Sequence, residues 1–486
     1  MQYLSTRDSA LRVSAQEAIV RGLAPQSGLF VPETFPQADL DAWKNLSYPE
    51  LAEKVLAGFL TDYSADFLHT ATASTYGAAF GGKAGETVKV RDGLYSLELW
   101  HGPTCAFKDY ALQLMPKLLV EAKKMLGRTE TTRILVATSG DTGKAALAGY
   151  ADLDGIEIEV FYPNDGTSEI QHLQMATQKG ENVQVYAVQG NFDDAQTGVK
   201  KVFADADVAA ELEKRGIRLS SANSINWGRL VPQIVYYFYA YFRLAEQGAV
   251  EWGKPVDFCV PTGNFGDILA GYYAKQMGLP VGRLVCASNQ NNVLTDFLST
   301  GTYTAKREFY KTTSPSMDIL VSSNLERLLY HVTGSDAEVA GLMKSLSETG
   351  RYTVRSETLK AIQESFDCGW SSEEQVAGEI RARYEKDGYL CDTHTAVAFH
   401  VAAQKKRDGV PMVVLSTASP FKFPRSVLEA LGHTAPENDF EAMQALEEAT
   451  GRTAPASLAA LRQKAERFST VIDPAGIAEV ALGYQA

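Results

Sequence analysis

The sequence predicts an α/β protein whose parallel sheets are covered by helices on both faces, and three observations carry that prediction. Short runs rich in Val, Ile and Leu recur along the chain, as in RILVAT (133–138), VDFCVP (256–261) and PMVVLST (411–417). Each of these runs ends in a turn of small residues: SGDTG, TGNFGD and ASPFKFP. Each turn then opens a helical stretch: KAALAGYADL, ILAGYYAKQMG and RSVLEALG. Strands buried on both faces read as continuous apolar runs, and their alternation with helices marks a parallel sheet.

Taken in chain order, residues 1–90 read as a mostly helical cap, with the loop GLAPQSGLFVPETFP followed by amphipathic stretches around 41–60. Residues 91–433 read as a core of two interleaved α/β domains. LYSLELW (94–100) leads through HGPT into a helix expected over 109–126, with Asp109 in its first turn where the helix dipole favours an acid. IEIEVFYP (156–163), VQVYAVQG (183–190) and RLVCASN (283–289) are further strands. Residues 434–486 read as a polar helical extension. At 486 residues the chain is long enough for about three domains.

Bulk composition narrows the function. A net charge of −13 gives no footing for nucleic acid or an anionic membrane surface, and no apolar run is long enough to span a bilayer. The five cysteines, at 105, 259, 286, 368 and 391, form no CxxC pair and have apolar neighbours. They are expected to be reduced core thiols. MQYLSTRDSALRVSAQ lacks the apolar segment of a signal peptide. The expectation is a cytoplasmic protein with a small-molecule substrate, as a monomer or a homodimer.

Ligands of open parallel sheets bind at the carboxyl ends of strands, and the unusual residues cluster there. TGNFGD (262–267) has glycines that let successive N–H groups turn toward one point, and the following helix adds its positive end. This reads as a phosphate cradle, without the lysine of a Walker loop or the GxGxxG spacing. TSGDTGKAA (138–146) is built alike: Ser139 and Thr142 offer hydroxyls, and Gly140 and Gly143 are expected to offer N–H groups to a carboxylate. In LSTASPF (415–421), Ser416 and Thr417 place hydroxyls at a strand end. Lys108, in HGPTCAFKDYALQ, follows Ala106 and Phe107 at the mouth of a helix. A cradle, a carboxylate loop, a strand-end hydroxyl and one lysine in an apolar setting are the parts a pyridoxal-phosphate enzyme needs. The lysine forms an imine with the cofactor aldehyde and then serves as a base.

With those motifs in place, the chain resembles the threonine synthases, a family of fold-type II (tryptophan synthase β-like) pyridoxal-phosphate enzymes. STRD, GLAPQSGLFVPE, HGPTCAFKD, SGDTG, SANSINWGRLVPQ, PTGNFGDILAGYYAKQMGLP, SPSMDILVSSNLERLLY and STASPFKFP carry the resemblance nearly end to end. It implies that Lys108 is the cofactor lysine and that Gly263, Asn264, Phe265, Gly266 and Asp267 contact pyridoxal 5'-phosphate. It also implies that the Thr417 hydroxyl faces the pyridine nitrogen. The implied reaction converts O-phospho-L-homoserine and water to L-threonine and phosphate. For the substrate, the reading assigns Ser139, Gly140, Asp141, Thr142 and Gly143, with Ser224, Asn226 and Arg229 at its phosphate; Lys144 and Ser316 are further candidates. Two positions depart from the family: Cys105 stands where leucine is common, and Ser419 where histidine is expected. The alternative is a serine/threonine dehydratase-like lyase, which would need no second phosphate site. A homologue that binds without turnover would have no reason to keep Lys108.

Overall fold

The computed structural model describes residues 1–164 and 167–483. Among them, two sheets organise the core. The larger has six strands in the order Phe366–Trp370, Val281–Ser288, Val256–Pro261, Met412–Ser416, Leu94–Glu98 and Glu86–Arg91. All neighbours run parallel except the last pair, which is antiparallel. The smaller sheet has five parallel strands: Val471–Ile472, Val183–Val188, Ile156–Pro163, Thr131–Ala137 and Ile217–Ser220. The apolar runs are strands because both faces are covered: every residue of Leu94–Glu98, Val256–Pro261 and Met412–Ser416 is buried.

The helix Ile234–Glu246 (IVYYFYAYFRLAE) is apolar nearly all round and buries nine side chains, as a helix enclosed in a core must. Each large apolar side chain so buried contributes about 1.5–3 kcal/mol. This helix also aims the Tyr236 and Tyr237 hydroxyls at the loop after residue 261. The N-terminal residues are fastened to the core by the rings of Tyr3 and Phe59 against Trp227 and by the ion pair of Arg7 with Glu326.

Four sequence expectations are corrected. The cap over 1–90 contains a three-stranded antiparallel sheet, Tyr3–Ser5, Asp8–Val13 and Phe30–Pro32, two of whose strands are only three residues long. Its boundary at residue 90 falls inside a strand of the large sheet, because Glu86–Arg91 pairs with Leu94–Glu98. The extension over 434–486, of which the last three residues lie outside the described residues, is not purely helical: Val471–Ile472 adds an edge strand. The single helix over 109–126 is two, Asp109–Leu112 and Met115–Met125. Pro116 has no N–H for the Leu112 carbonyl and its ring would clash with it. That carbonyl instead packs against Gly149, where a Cβ would come within 1.9 Å of it. All five cysteines are unpaired, and four are buried. Among the described residues no helix is long and apolar enough to cross a membrane.

Candidate active site

The site begins with three neighbouring parallel strands, Val256–Pro261, Met412–Ser416 and Leu94–Glu98, whose carboxyl ends lead to the loops at 262–267, 417–422 and 99–108. The loop HGPTCAFKD is shaped by Asp109, whose carboxylate accepts from the Thr104 N–H at 2.8 Å and the Thr104 hydroxyl at 2.7 Å. Burial pushes this carboxyl up to about 6. The loop is stitched to the neighbouring strand end: Phe107 N donates to Thr417 O at 2.8 Å, and Ser419 N to Cys105 O at 3.1 Å. Cys105 adopts φ 59°, a left-handed turn that gives its position a backbone role. Phe107, the residue before Lys108, is thereby tied to buried Thr417, and the Lys108 Nζ donates to Ser316 Oγ at 3.3 Å. Burial pushes the Lys108 amine down to about 8; Asp141 opposes that shift, while Arg229 and Lys422 reinforce it.

The loop at 262–267 turns sharply because Phe265 takes φ 62°, and the helix Gly266–Gln276 starts immediately after it. Gly263 O accepts from Ser322 Oγ at 2.7 Å, and Asn264 O accepts from Asn324 Nδ2 at 3.0 Å. A Cβ on Gly263 would stand 3.0 Å from Ser316 O, so this glycine lets the Ser316 segment close over the loop. The Asp267 side chain is held by two buried tyrosines. Its Oδ1 accepts from Tyr236 at 2.6 Å and Tyr237 at 2.9 Å, and burial pushes its carboxyl up to about 7. Its Oδ2 is buried with no hydrogen-bond partner among the described residues.

The loop at 138–143 departs further from expectation. Thr138 Oγ1 accepts both the Gly140 and Gly143 N–H groups, each at 3.0 Å, so those donors are spent within the loop. Ser139 and Thr142 keep some exposure. Asp141 is buried and ion-paired to Lys422 at 2.6 Å; Gln171 Nε2 donates to it at 3.1 Å and Ser316 Oγ at 3.4 Å. Burial works against its ionisation, but the Lys422 and Lys108 ammoniums outweigh it and hold the carboxyl well below the usual range. Asp141 is therefore no free ligand for an anionic substrate. Lys144 donates to Gln178, and burial with nearby Lys464 pushes its amine down to about 8.

Among the proposed phosphate residues, Asn226 is corrected outright. It has no exposed surface, its Oδ1 caps a helix through the Gly228 N–H at 2.9 Å, and its Nδ2 donates to Ile19 O at 2.9 Å. Ser224 is partly exposed, and its carbonyl accepts from Arg327 at 3.3 Å. Arg229 is buried, donates to Ala222 O, and has an Nε without a hydrogen-bond partner among the described residues; the buried Tyr150 hydroxyl likewise has none. Burial lowers the Arg229 guanidinium to about 10.

Three groups were not foreseen. Lys422 has no exposed surface, and its Nζ also donates to Thr104 O at 3.1 Å. Asp392 holds His394 through Nδ1 at 2.7 Å, and His394 Nε2 accepts the Ser316 N–H at 3.2 Å. Gln171 completes the surroundings of Asp141. A lysine between two phenylalanines, in FKF, was the readable signal: buried charge needs a partner.

These residues fit pyridoxal phosphate. Among the described residues the Lys108 amine forms no ion pair and reaches only a neutral hydroxyl. Gly266 opens the helix Gly266–Gln276, whose N-terminal N–H groups and positive dipole end suit a phosphate.

Comparison with known proteins gives three family models along the chain: "Threonine synthase N terminus" over 2–76, "Pyridoxal-phosphate dependent enzyme" over 84–418 and "Threonine synthase, C-terminal" over 395–480. The chain is 41% identical over 436 residues to threonine synthase of Pseudomonas aeruginosa, covering 88% of this chain and 90% of that one. It is 40% identical over 452 residues to human threonine synthase-like 1, covering 88% of this chain but 60% of that protein's length. The crystal structure of PLP-bound threonine synthase from Brucella melitensis superposes with a TM-score of 0.89 at 38% identity, covering 99% of both chains.

Proposed function

The chain belongs to the threonine synthase family of pyridoxal-phosphate-dependent enzymes, and we propose that it converts O-phospho-L-homoserine and water to L-threonine and phosphate. The observation that carries this reading is the convergence of the Lys108 amine, the turn at 263–266 and Thr417 at the ends of three adjacent parallel strands.

In this reading Lys108 holds the cofactor through its amine, the main chain of Gly263, Asn264, Phe265 and Gly266 holds the phosphate, and Thr417 presents a neutral hydroxyl to the ring nitrogen. Bound there, pyridoxal phosphate supplies the electron sink that makes the substrate's Cα proton removable. Lys108 Nζ would relay the protons: it takes the one at Cα and passes it on, takes one at Cβ as phosphate leaves from Cγ, and returns protons to Cγ and Cα, while water places its hydroxyl on Cβ and its remaining proton goes to the released phosphate. With its amine near 8 rather than 10.4, Lys108 needs only a small further cost to act as a base at neutral pH. Arg229, buried with no carboxylate partner among the described residues, receives an anionic group of the substrate, with Ser224 and Lys144 nearer the solvent; Ser139 and Thr142 meet the carboxylate. The N-terminal cap, which ends before the strand Glu86–Arg91, and the C-terminal extension frame the α/β core. We place the activity in the cytoplasm, on a monomer or homodimer that needs no nucleic acid.

The test is product analysis of the purified, cofactor-loaded protein given O-phospho-L-homoserine. Threonine and phosphate in equal amounts are expected. Phosphate with 2-oxobutyrate, or consumption of serine or threonine instead, would replace this reading with the dehydratase-like lyase.

A further inference from the structure

Lys108 and Lys422 share one buried carboxylate, that of Asp141, on unequal terms. Asp141 opens the helix Asp141–Tyr150 that follows the strand Thr131–Ala137 of the five-stranded sheet; both lysines stand in the segments that follow strands of the six-stranded sheet. Lys422 Nζ touches Asp141 Oδ1 at 2.6 Å. Lys108 reaches the same carboxylate only through Ser316, whose Oγ donates to Asp141 Oδ2 at 3.4 Å and accepts from Lys108 Nζ at 3.3 Å. Ser316 is itself held, its N–H on His394 Nε2 and His394 Nδ1 on Asp392. Because its proton is directed to Asp141, Ser316 has lone pairs left for the amine.

We propose that Lys422 is a positioning residue for Lys108: by occupying Asp141, it withholds that carboxylate from the catalytic amine and leaves a neutral hydroxyl as the amine's only polar contact among the described residues. A buried carboxylate left without its cation recruits the next one available. Without Lys422 that cation is Lys108, one hydroxyl away, and an amine paired with a carboxylate is held as an ammonium and lost as a base. The other charged groups around Lys108 and the ion pair are Arg229, which faces Lys108, and His394, Asp109 and Lys144, which face Asp141 or Lys422. Of all these groups Asp141 is the carboxylate acting on Lys108, so displacing its partner sets the direction of the change.

The inference rests on Lys108 being the base, and its test separates the two claims. The full-length chain, stripped of cofactor, is pulsed with an amine-acylating reagent across a pH series, and labelling at Lys108 is quantified by peptide mass spectrometry. This reports the free amine whether or not the protein makes threonine. In Lys422→Met the midpoint of Lys108 labelling should rise by about one pH unit, and the rising limb of kcat against pH in the loaded enzyme should move with it. In Lys422→Met/Asp141→Asn, which removes cation and anion together, the midpoint should return to the wild-type value or below. An unchanged or lowered midpoint in Lys422→Met would overturn the proposal. If that variant does not fold, the double variant decides, since it strands no charge: a midpoint at or below wild type supports the proposal, and one raised by about a pH unit overturns it.

Discussion

The loops at 138–143 and 262–267 begin alike, a buried parallel strand followed by a glycine turn with an aspartate in the first turn of the next helix. Their aspartates end in opposite states. Asp267 meets two tyrosine hydroxyls and, among the described residues, no cation, and burial drives its carboxyl up to about 7. Asp141 is buried as well, but Lys422 and Lys108 hold it ionised. The glycines differ too. A Cβ on Gly143 would meet Thr138 Cγ2 at 2.5 Å, whereas one on Gly266 has ordinary room. Similar local chemistry thus builds a turn held by an ion pair in one loop and a turn held by neutral hydroxyls in the other. Neighbours that are remote in sequence make the difference.

The largest effect tests whether both loops serve one amine. Lys108→Ala should lower turnover by at least about 10²–10⁴-fold, the contribution of a positioned general base, and should abolish reductive trapping of the cofactor on the chain. An active variant would detach both loops from Lys108. Next, Asp141→Asn leaves Lys422 buried without a counter-charge and should cost about 3–5 kcal/mol in urea unfolding at neutral pH. Because the folded-state carboxyl lies below its unfolded value, that contribution is present above about pH 4 and is lost as pH falls. The deficit of the variant should therefore shrink on acidification.

Gly143→Ala should cost about 1–3 kcal/mol by overpacking against Thr138, Val160 and Met175. Gly266→Ala should stay within about 0.5 kcal/mol while weakening cofactor retention, read by dialysis. Equal stability losses in the two would erase the distinction between the loops. The smallest effect is expected for Asp267→Asn, within about 1 kcal/mol at mildly acidic pH, where the native carboxyl already carries its proton. The folded-state carboxyl lies above its unfolded value, so the wild type loses stability as pH rises from about 4 through about 7. The variant should gain on it over that window, in unfolding curves measured at both ends.

Much of this architecture was legible in the chain itself. The strands at 133–138, 156–163 and 256–261 could be read because burial on both faces leaves a continuous apolar run. The edge strand at 471–472 could not, since two residues have no period and its identity lies in pairing with Val183–Val188. Within the site, Lys108, the 263–267 turn and Thr417 were marked by loop chemistry next to strands. Asn226 misled because a polar residue in a polar loop carries no sign that a helix cap and the Ile19 carbonyl use both ends of its amide.

The sequence alone determined the strand-to-helix turns, the place of the lysine and the family, because glycine conformation, apolar runs and motif spacing are local properties. The tertiary structure decided which polar groups remain free to act. It spent the Gly140 and Gly143 donors on Thr138, turned Asp267 toward two tyrosines, and brought Lys422 across from the other sheet to Asp141. A buried charge or donor is defined by the partner it finds, and those partners lie tens to hundreds of residues away along the chain for all but the glycine N–H groups.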